Sequence, residues 1–254
     1  AVALARTPVL DGLRARALVR QLKAHGTAVG LPTADDMGNP EVGHNILGAG
    51  RVSDQGAKLV DRAIANGAAF DGVFEALVER VGRTGGTLHL LGLLSDGNVH
   101  SHEKHLHALV REAARRKVAR LRVHALLDGR DVPETSALVY VDRLESVMAD
   151  VNAGGVADYR VASGGGRMIT TMDRYEADWS IVKRGWDAHV HGQARAFASA
   201  RAAIETFRAE QKGIGDQFLP AFVVVDASGT PVGRIADGDA VVLFNFRGDR
   251  AIEI

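Results

Sequence analysis

Cysteine is absent from the 254 residues, so neither a disulfide framework nor a thiolate nucleophile or ligand is available. That suits a reducing compartment. Net charge is missing too: 31 Lys and Arg balance 31 Asp and Glu, which argues against a chain built to hold a polyanion such as DNA. No apolar run approaches the roughly 18 residues of a membrane span. The opening AVALARTPVL has no initiator Met and no signal-peptide pattern. It is acid-poor and contains Arg, as a transit peptide does, but Thr7-Pro8 opening an apolar 3.6-residue period favours a folded helix. FRGDRAIEI stops inside an apolar run, so both ends read as cut from something longer. Internal repeats and low-complexity tracts are lacking as well.

What is present is an ordinary globular balance, 46% hydrophobic and 24% charged. Thr7 is placed to cap a helix starting at Pro8, with Val9, Leu10, Leu13, Ala17 and Leu18 on one face. The stretch MGNPEVGHN (37–45) packs a cap, a turn, a carboxylate and a histidine into nine positions, with Pro40 where chemistry would want a reactive group. A second helix is predicted through Leu59, Val60, Ala63 and Ile64.

From Thr87 the pattern is regular. TLHLLGL (87–93) reads as a strand buried on both faces, and it ends in SDGNVHSH, where Ser101 is placed to cap a helix carrying Leu106, Leu109, Val110 and Ala113. LRVHALL (121–127) ends in DGRDVPE, and a helix through Leu138, Leu144, Val147, Met148 and Val151 stops near Gly154-Gly155. ADYRVAS (157–163) ends in a GGGR loop before a helix around Trp179 and Val182. Three strand–loop–helix units in a row predict an α/β fold, a mainly parallel sheet with right-handed crossover helices. A helix from about Ser199 to Lys212, closed by Gly213, leads to FVVV (222–225), SGTP and DGD, read as an antiparallel edge, and the last strand is AVVLFNF (240–246).

Ligands of open α/β sheets sit beyond the carboxyl ends of the strands. Those ends carry Ser95, Asp96 and His100; Asp128, Arg130 and Asp131; Arg167 and Arg174; and Asn245, Arg247 and Arg250. Guanidinium forks match phosphate and carboxylate oxygens in pairs, so the pattern points to a pocket for a small, multiply charged anion, an organic phosphate. The competing reading pairs these arginines with Asp96, Asp131, Asp173 and Asp249 as surface ion pairs. SGGGR lacks the G-x-G-x-x-G spacing of a dinucleotide site. His102 and His105 have the spacing to share a zinc ion but no third ligand accompanies them. The RGD at 247–249 follows a strand of buried type, which sets its Arg with the anion cluster.

The motifs MGNPEVGHNILGAGR, HLLGLLSDGNVHSH, LLDGRDVPETS, ASGGGRMITTMDRYEADWSIVKRGWDA, DGDAVV and NFRGDR resemble cofactor-independent phosphoglycerate mutase of the plant and trypanosomatid type. The likeness runs over nearly the whole chain, and it implies proteins roughly twice as long. In these a metal-dependent phosphatase-like domain of the alkaline phosphatase superfamily carries an inserted phosphotransferase domain. By this analogy residues 1–55 are a fragment of the first and 56–254 are most of the second. The resemblance implies interconversion of 3-phosphoglycerate and 2-phosphoglycerate, in glycolysis and gluconeogenesis, through a phosphoserine. It needs no 2,3-bisphosphoglycerate and relies on two divalent ions, manganese foremost, with magnesium or cobalt as alternatives. It places His100, Arg130, Asp131, Arg167, Arg174, Arg247 and Arg250 on substrate-contacting positions, with Asp131 exchanging a proton with the glycerate hydroxyl. It also implies a monomer acting on a small molecule in the cytoplasm, or in a glycolytic organelle for a trypanosomatid.

Pro40 departs from this pattern. It stands at the position of the nucleophilic Ser and has no oxygen to attack phosphorus or bind metal, so the chain as written is expected to be inactive. The family's remaining metal ligands and a substrate-binding Lys fall outside the chain. A non-catalytic phosphoglycerate-binding module is the alternative reading.

Overall fold

The structure, a computed structural model, describes every residue from 4 to 254 except Arg174. The chain forms two compact units, residues 1–53 and 54–254. Among the described residues no helix is long and apolar enough to cross a membrane.

In the first unit α1 spans Pro8–Arg16 and α2 spans Pro40–Ala49, each with proline in its first turn. The expected Thr7 cap is not made: its hydroxyl donates to the Asp11 carboxylate at 3.2 Å instead of accepting a backbone N–H. The helix also stops before Ala17 and Leu18, and Leu10 and Leu13 are exposed, so the apolar stripe finds no core. In α2 Asn39 does cap, its Oδ1 accepting from Val42 N–H at 3.1 Å. A small cluster of Val29, Leu31 and Val42, with Ile46 against it, is the core of this unit.

The second unit begins with α3 (Gly56–Ala65) and α4 (Val73–Thr84). Then come β1 (Leu88–Leu94), α5 (Glu103–Arg115), β2 (Arg120–Leu127), α6 (Ala137–Asn152) and β3 (Asp158–Gly166). After these follow α7 (Trp179–His189), β4 (Arg195–Phe197), α8 (Ala200–Glu210), β5 (Phe222–Val224) and β6 (Ala240–Leu243). They build one six-stranded sheet in the order β4-β5-β3-β2-β1-β6. All neighbouring strands run parallel except β3 and β5. The mixed, mainly parallel α/β sheet is the one the three strand–loop–helix units predict. The antiparallel FVVV strand is β5, and β4, which the sequence reading did not name, lies outside it.

Alternation along the strands divides the core. Leu88, Leu90, Leu94, Leu121, Val123, Ala125, Leu127, Tyr159 and Val161 pack in a large cluster with residues of α4, α5, α6 and α8. Leu91, Leu93 and Leu126 face the other way, with Met172. The strands therefore read as continuous apolar runs because both faces are covered.

Several boundaries differ from expectation. Ser101 does not cap α5; its hydroxyl donates to the Leu93 carbonyl, and His102 caps instead, its Nδ1 accepting from Lys104 N–H at 3.2 Å. The α8 cap is Ser199 as expected, but the helix ends at Glu210, short of Lys212. GGGR is not a loop: β3 runs through Gly166. A Cβ on Gly166 would stand 2.3 Å from the Gln217 carbonyl oxygen, so glycine is what lets the strand pass beside that backbone.

Candidate functional site

Four strand ends meet at one edge of the sheet, because β6, β1, β2 and β3 are consecutive, parallel neighbours. The loops leaving them are tied together. Asn245, after β6, accepts from the Leu93 N–H of β1 at 2.9 Å, and the His100 carbonyl accepts from Phe246 N–H at 2.8 Å. After β2, Asp128 closes the turn DGRD: its Oδ1 accepts from the Arg130 and Asp131 N–H groups, each at 3.1 Å. Its Oδ2 accepts from the Ser95 hydroxyl at 2.6 Å.

Arg167 follows β3 directly, and its backbone N–H donates to the Leu127 carbonyl at the end of β2. The side chain is 3% exposed. Its Nη1 donates to Asp128 at 2.9 Å and to Asp131 at 2.5 Å, and its Nη2 donates to His100 Nε2 at 2.6 Å. Since Nε2 accepts, the imidazole proton of neutral His100 sits on Nδ1. That Nδ1 and Arg167 Nε are buried with no hydrogen-bond partner among the described residues. Two unmatched donors inside a fold call for acceptors.

Burial pushes His100 down to about 2, and the guanidiniums of Arg167, Arg247, Arg250 and Arg130 push it the same way. All four charges therefore act on one ring. Arg247, mostly buried, donates to Asp249 at 2.8 Å, and Arg250 donates to the Met172 carbonyl at 2.9 Å. Arg130 is exposed, with Nη1 4.0 Å from Met168 Sδ.

The structure thus gathers His100, Arg130, Asp131, Arg167, Arg247 and Arg250. Arg174 lies outside the described residues, and Pro40 belongs to the first unit, at the start of α2. The ion-pair reading is right for Asp131 and Asp249, although the Arg167 pairs are buried rather than superficial. It fails for Asp96, which accepts from the Tyr140 hydroxyl at 2.7 Å and lies 3.7 Å from Arg143. It fails also for Asp173, whose Oδ2 accepts from Asp178 N–H at 2.6 Å. His105 meets Asp61 at 2.7 Å. Among the described residues no three His, Asp or Glu side chains gather as a metal ion requires, so these residues do not fit the divalent ions that the resemblance implies.

Sequence reasoning placed Asp128 and Ser95 at strand ends but missed their work. Asp128 is 2% exposed and serves four donors, which makes it the centre of the arrangement. An aspartate opening a D-G-R-D turn is the signal that was there to be read.

Residues 60–254 match the family model described as BPG-independent PGAM N-terminus. The chain is 55% identical over 255 residues to a probable 2,3-bisphosphoglycerate-independent phosphoglycerate mutase of Leptospira interrogans, covering 100% of this chain and 46% of that protein. It is 54% identical to the 2,3-bisphosphoglycerate-independent phosphoglycerate mutase of Trypanosoma brucei brucei, covering 100% of this chain and 46% of the relative. The Zea mays relative is 54% identical, with 98% and 44% covered. A crystal structure of Leishmania mexicana phosphoglycerate mutase at low cobalt concentration superposes with a TM-score of 0.93 at 54% identity. That match covers 99% of this chain and 46% of that one. The chain spans just under half the length of these relatives. With a sheet of this order, arginines at its strand ends and likeness of this extent, the chain belongs to the 2,3-bisphosphoglycerate-independent phosphoglycerate mutase family.

Proposed function

We propose that the second unit is the substrate-holding part of a phosphoglycerate mutase, binding 3-phosphoglycerate and 2-phosphoglycerate at the ends of β6, β1, β2 and β3. In the same reading the first unit is a piece of the phosphatase-like part, with the domain boundary near residue 55. The observation that carries the reading is the pair of buried, unmatched donors, His100 Nδ1–H and Arg167 Nε–H, amid the charges of Arg130, Arg247 and Arg250. A phosphate or carboxylate group brings several acceptor oxygens to donors of this kind.

The roles follow from placement. Arg167 and His100 meet the anion inside, while Arg247, Arg250 and the exposed Arg130 close on it from the β6 and β2 loops. Asp131, held by Arg167, is the acceptor beside them and the group to exchange a proton with a glycerate hydroxyl. Pro40 has no hydroxyl to take up phosphate, and among the described residues no cluster of His, Asp or Glu is suited to a metal ion, so no transfer step is assigned to this chain.

Calorimetric titration of 3-phosphoglycerate tests the reading. Binding is expected, weakened about tenfold or more in Arg130→Ala and Arg247→Ala, and unchanged in Arg115→Ala, whose guanidinium pairs with Glu112 in the last turn of α5, before the amino end of β2. No binding by folded protein at millimolar ligand would sink it.

Pro40 favours a second reading, a binding module without catalysis: it starts α2 comfortably behind the Asn39 cap. Pro40→Ser in a chain of the relatives' full length separates the two. Recovered turnover with manganese supports the mutase; a folded, inactive protein supports the module.

A further inference from the structure

A second polar system, distinct from the anion site, crosses the sheet on the face of Leu91, Leu93 and Leu126. His89 on β1, His124 on β2, Ser163 on β3 and His189 on α7 are 0%, 0%, 1% and 3% exposed. They form one line: Asp239 Oδ2 to His89 Nε2 at 3.1 Å, then His89 Nδ1 to His124 Nε2 at 2.9 Å. It continues from His124 Nδ1 to Ser163 Oγ at 2.6 Å, from Ser163 Oγ to His189 Nδ1 at 2.7 Å, and from His189 Nε2 to Thr171 Oγ1 at 2.9 Å.

Donor arithmetic gives this line a direction. The Asp239 carboxylate accepts from Thr87 N–H and Ala236 N–H and also meets His89 Nε2, which must donate. In a neutral imidazole the other nitrogen then accepts, so His124 donates from Nε2 and Ser163 donates to His124 Nδ1. Ser163 Oγ in turn accepts from His189 Nδ1–H, and Thr171 donates to His189 Nε2. Every link is satisfied only in this order. Burial keeps all three rings below the usual 6.5, and the Arg122 guanidinium adds to this at His89 and His124.

The far end of the line is Thr171, a β-branched residue at φ +73°, a region such side chains avoid. Its N–H donates to the Ile181 carbonyl at 2.9 Å, and Gly185 lies so close that a Cβ there would stand 2.1 Å from Thr171 Oγ1. Thr171 sits between Arg167 and Met172, whose carbonyl accepts from Arg250. We propose that the line from Asp239 to Thr171 is a one-way hydrogen-bond strut that holds the Arg167–Asp173 loop in its strained conformation. Residues Thr171 and His189 are thereby positioning residues for the anion site. What the loop serves rests on the function proposed above; the strut itself does not.

Nitrogen-15 spectra of the imidazoles in this chain provide the first test. His189 is expected as the Nδ1–H tautomer, and His89 and His124 as Nε2–H; any other assignment at His189 or His89 overturns the direction of the strut. Second, Thr171→Val keeps shape but removes the donor. Amide exchange across 167–173 should rise about tenfold, the factor for one buried hydrogen bond, with β1 and β2 unchanged. Thr171→Ser should exchange as the wild type does. Ser163→Ala, a smaller cut within the line, should loosen the same amides, and unchanged protection in either folded variant refutes the positioning role. Affinity for 3-phosphoglycerate should fall with the loosening. A wild type that fails to bind defeats the proposed function and leaves the tautomer and exchange results to judge the strut.

Discussion

Arg167 Nη2 stands 2.6 Å from His100 Nε2, a guanidinium donating to an imidazole that burial and then the surrounding charges keep neutral. A protonated His100 would lose this bond and face four positive neighbours.

Acid should therefore weaken the fold. His100 is held at about 2 and His189 at about 3, and His124 well below 6.5, while the unfolded chain takes up these protons near 6.5. The unfolded state binds more protons as pH falls, so stability is full above about 6.5 and drains away below it. Each such ring steepens the fall by up to about 1.4 kcal/mol per pH unit. Denaturant titrations at pH 5 and pH 8 should show the loss, and His100→Gln should flatten it. Equal stability at the two pH values would contradict the buried, neutral state of these rings.

Asp128→Ala should be among the costliest changes in the second unit. It leaves the buried Arg167 guanidinium short of one carboxylate and frees the Arg130 and Asp131 N–H groups and the Ser95 hydroxyl. Breaking a buried pair of this kind costs about 3 kcal/mol or more. Asp128→Asn, which keeps an acceptor oxygen for the turn, should cost less. Urea unfolding would rank them, and an alanine variant as stable as the wild type would remove Asp128 from the centre of the site.

The α2 start should tolerate serine. Pro40→Ser leaves the Asn39 cap in place, and we expect a change below about 1 kcal/mol. Asn39→Ala removes the cap bond and should cost about 1 kcal/mol. Exchange of the amides from Val42 to Ile46 reports both, and a larger effect from Pro40→Ser than from Asn39→Ala would reverse this account.

Gly166→Ala should disrupt the strand end that delivers Arg167. The new methyl would meet the Gln217 carbonyl at 2.3 Å and the Asp216 carbonyl oxygen at 2.7 Å, both backbone atoms with little room to move. Overpacking of this sort costs about 1–3 kcal/mol. A melting temperature equal to that of the wild type would show that the 216–217 segment yields.

Much of the second unit is legible in the letters because its signals are local. Apolar runs at 87–93 and 121–127 declare strands buried on both faces, and the helices between them carry their own periodicity. β4 escaped because Arg195–Phe197 is three residues long, with only Phe197 half-buried, too short for any pattern. The α1 stripe misled because periodicity reports which residues share a face, not whether a core waits opposite. Ser101 and His102 are both able caps, and the choice fell to the Leu93 carbonyl, which took the serine hydroxyl.

By itself the sequence determined a mainly parallel α/β sheet, the arginines at its carboxyl edge, the family, and a proline in the middle of the motif MGNPEVGHN. Those follow from short-range periodicity and from motif letters. Only the tertiary structure decided that Arg167 bonds His100 rather than water, that Asp128 serves four donors, and that three histidines spread over a hundred residues form one line. Hydrogen-bond partners and burial are set by strand order and register, which bring distant positions within about 3 Å, and no local pattern encodes that distance.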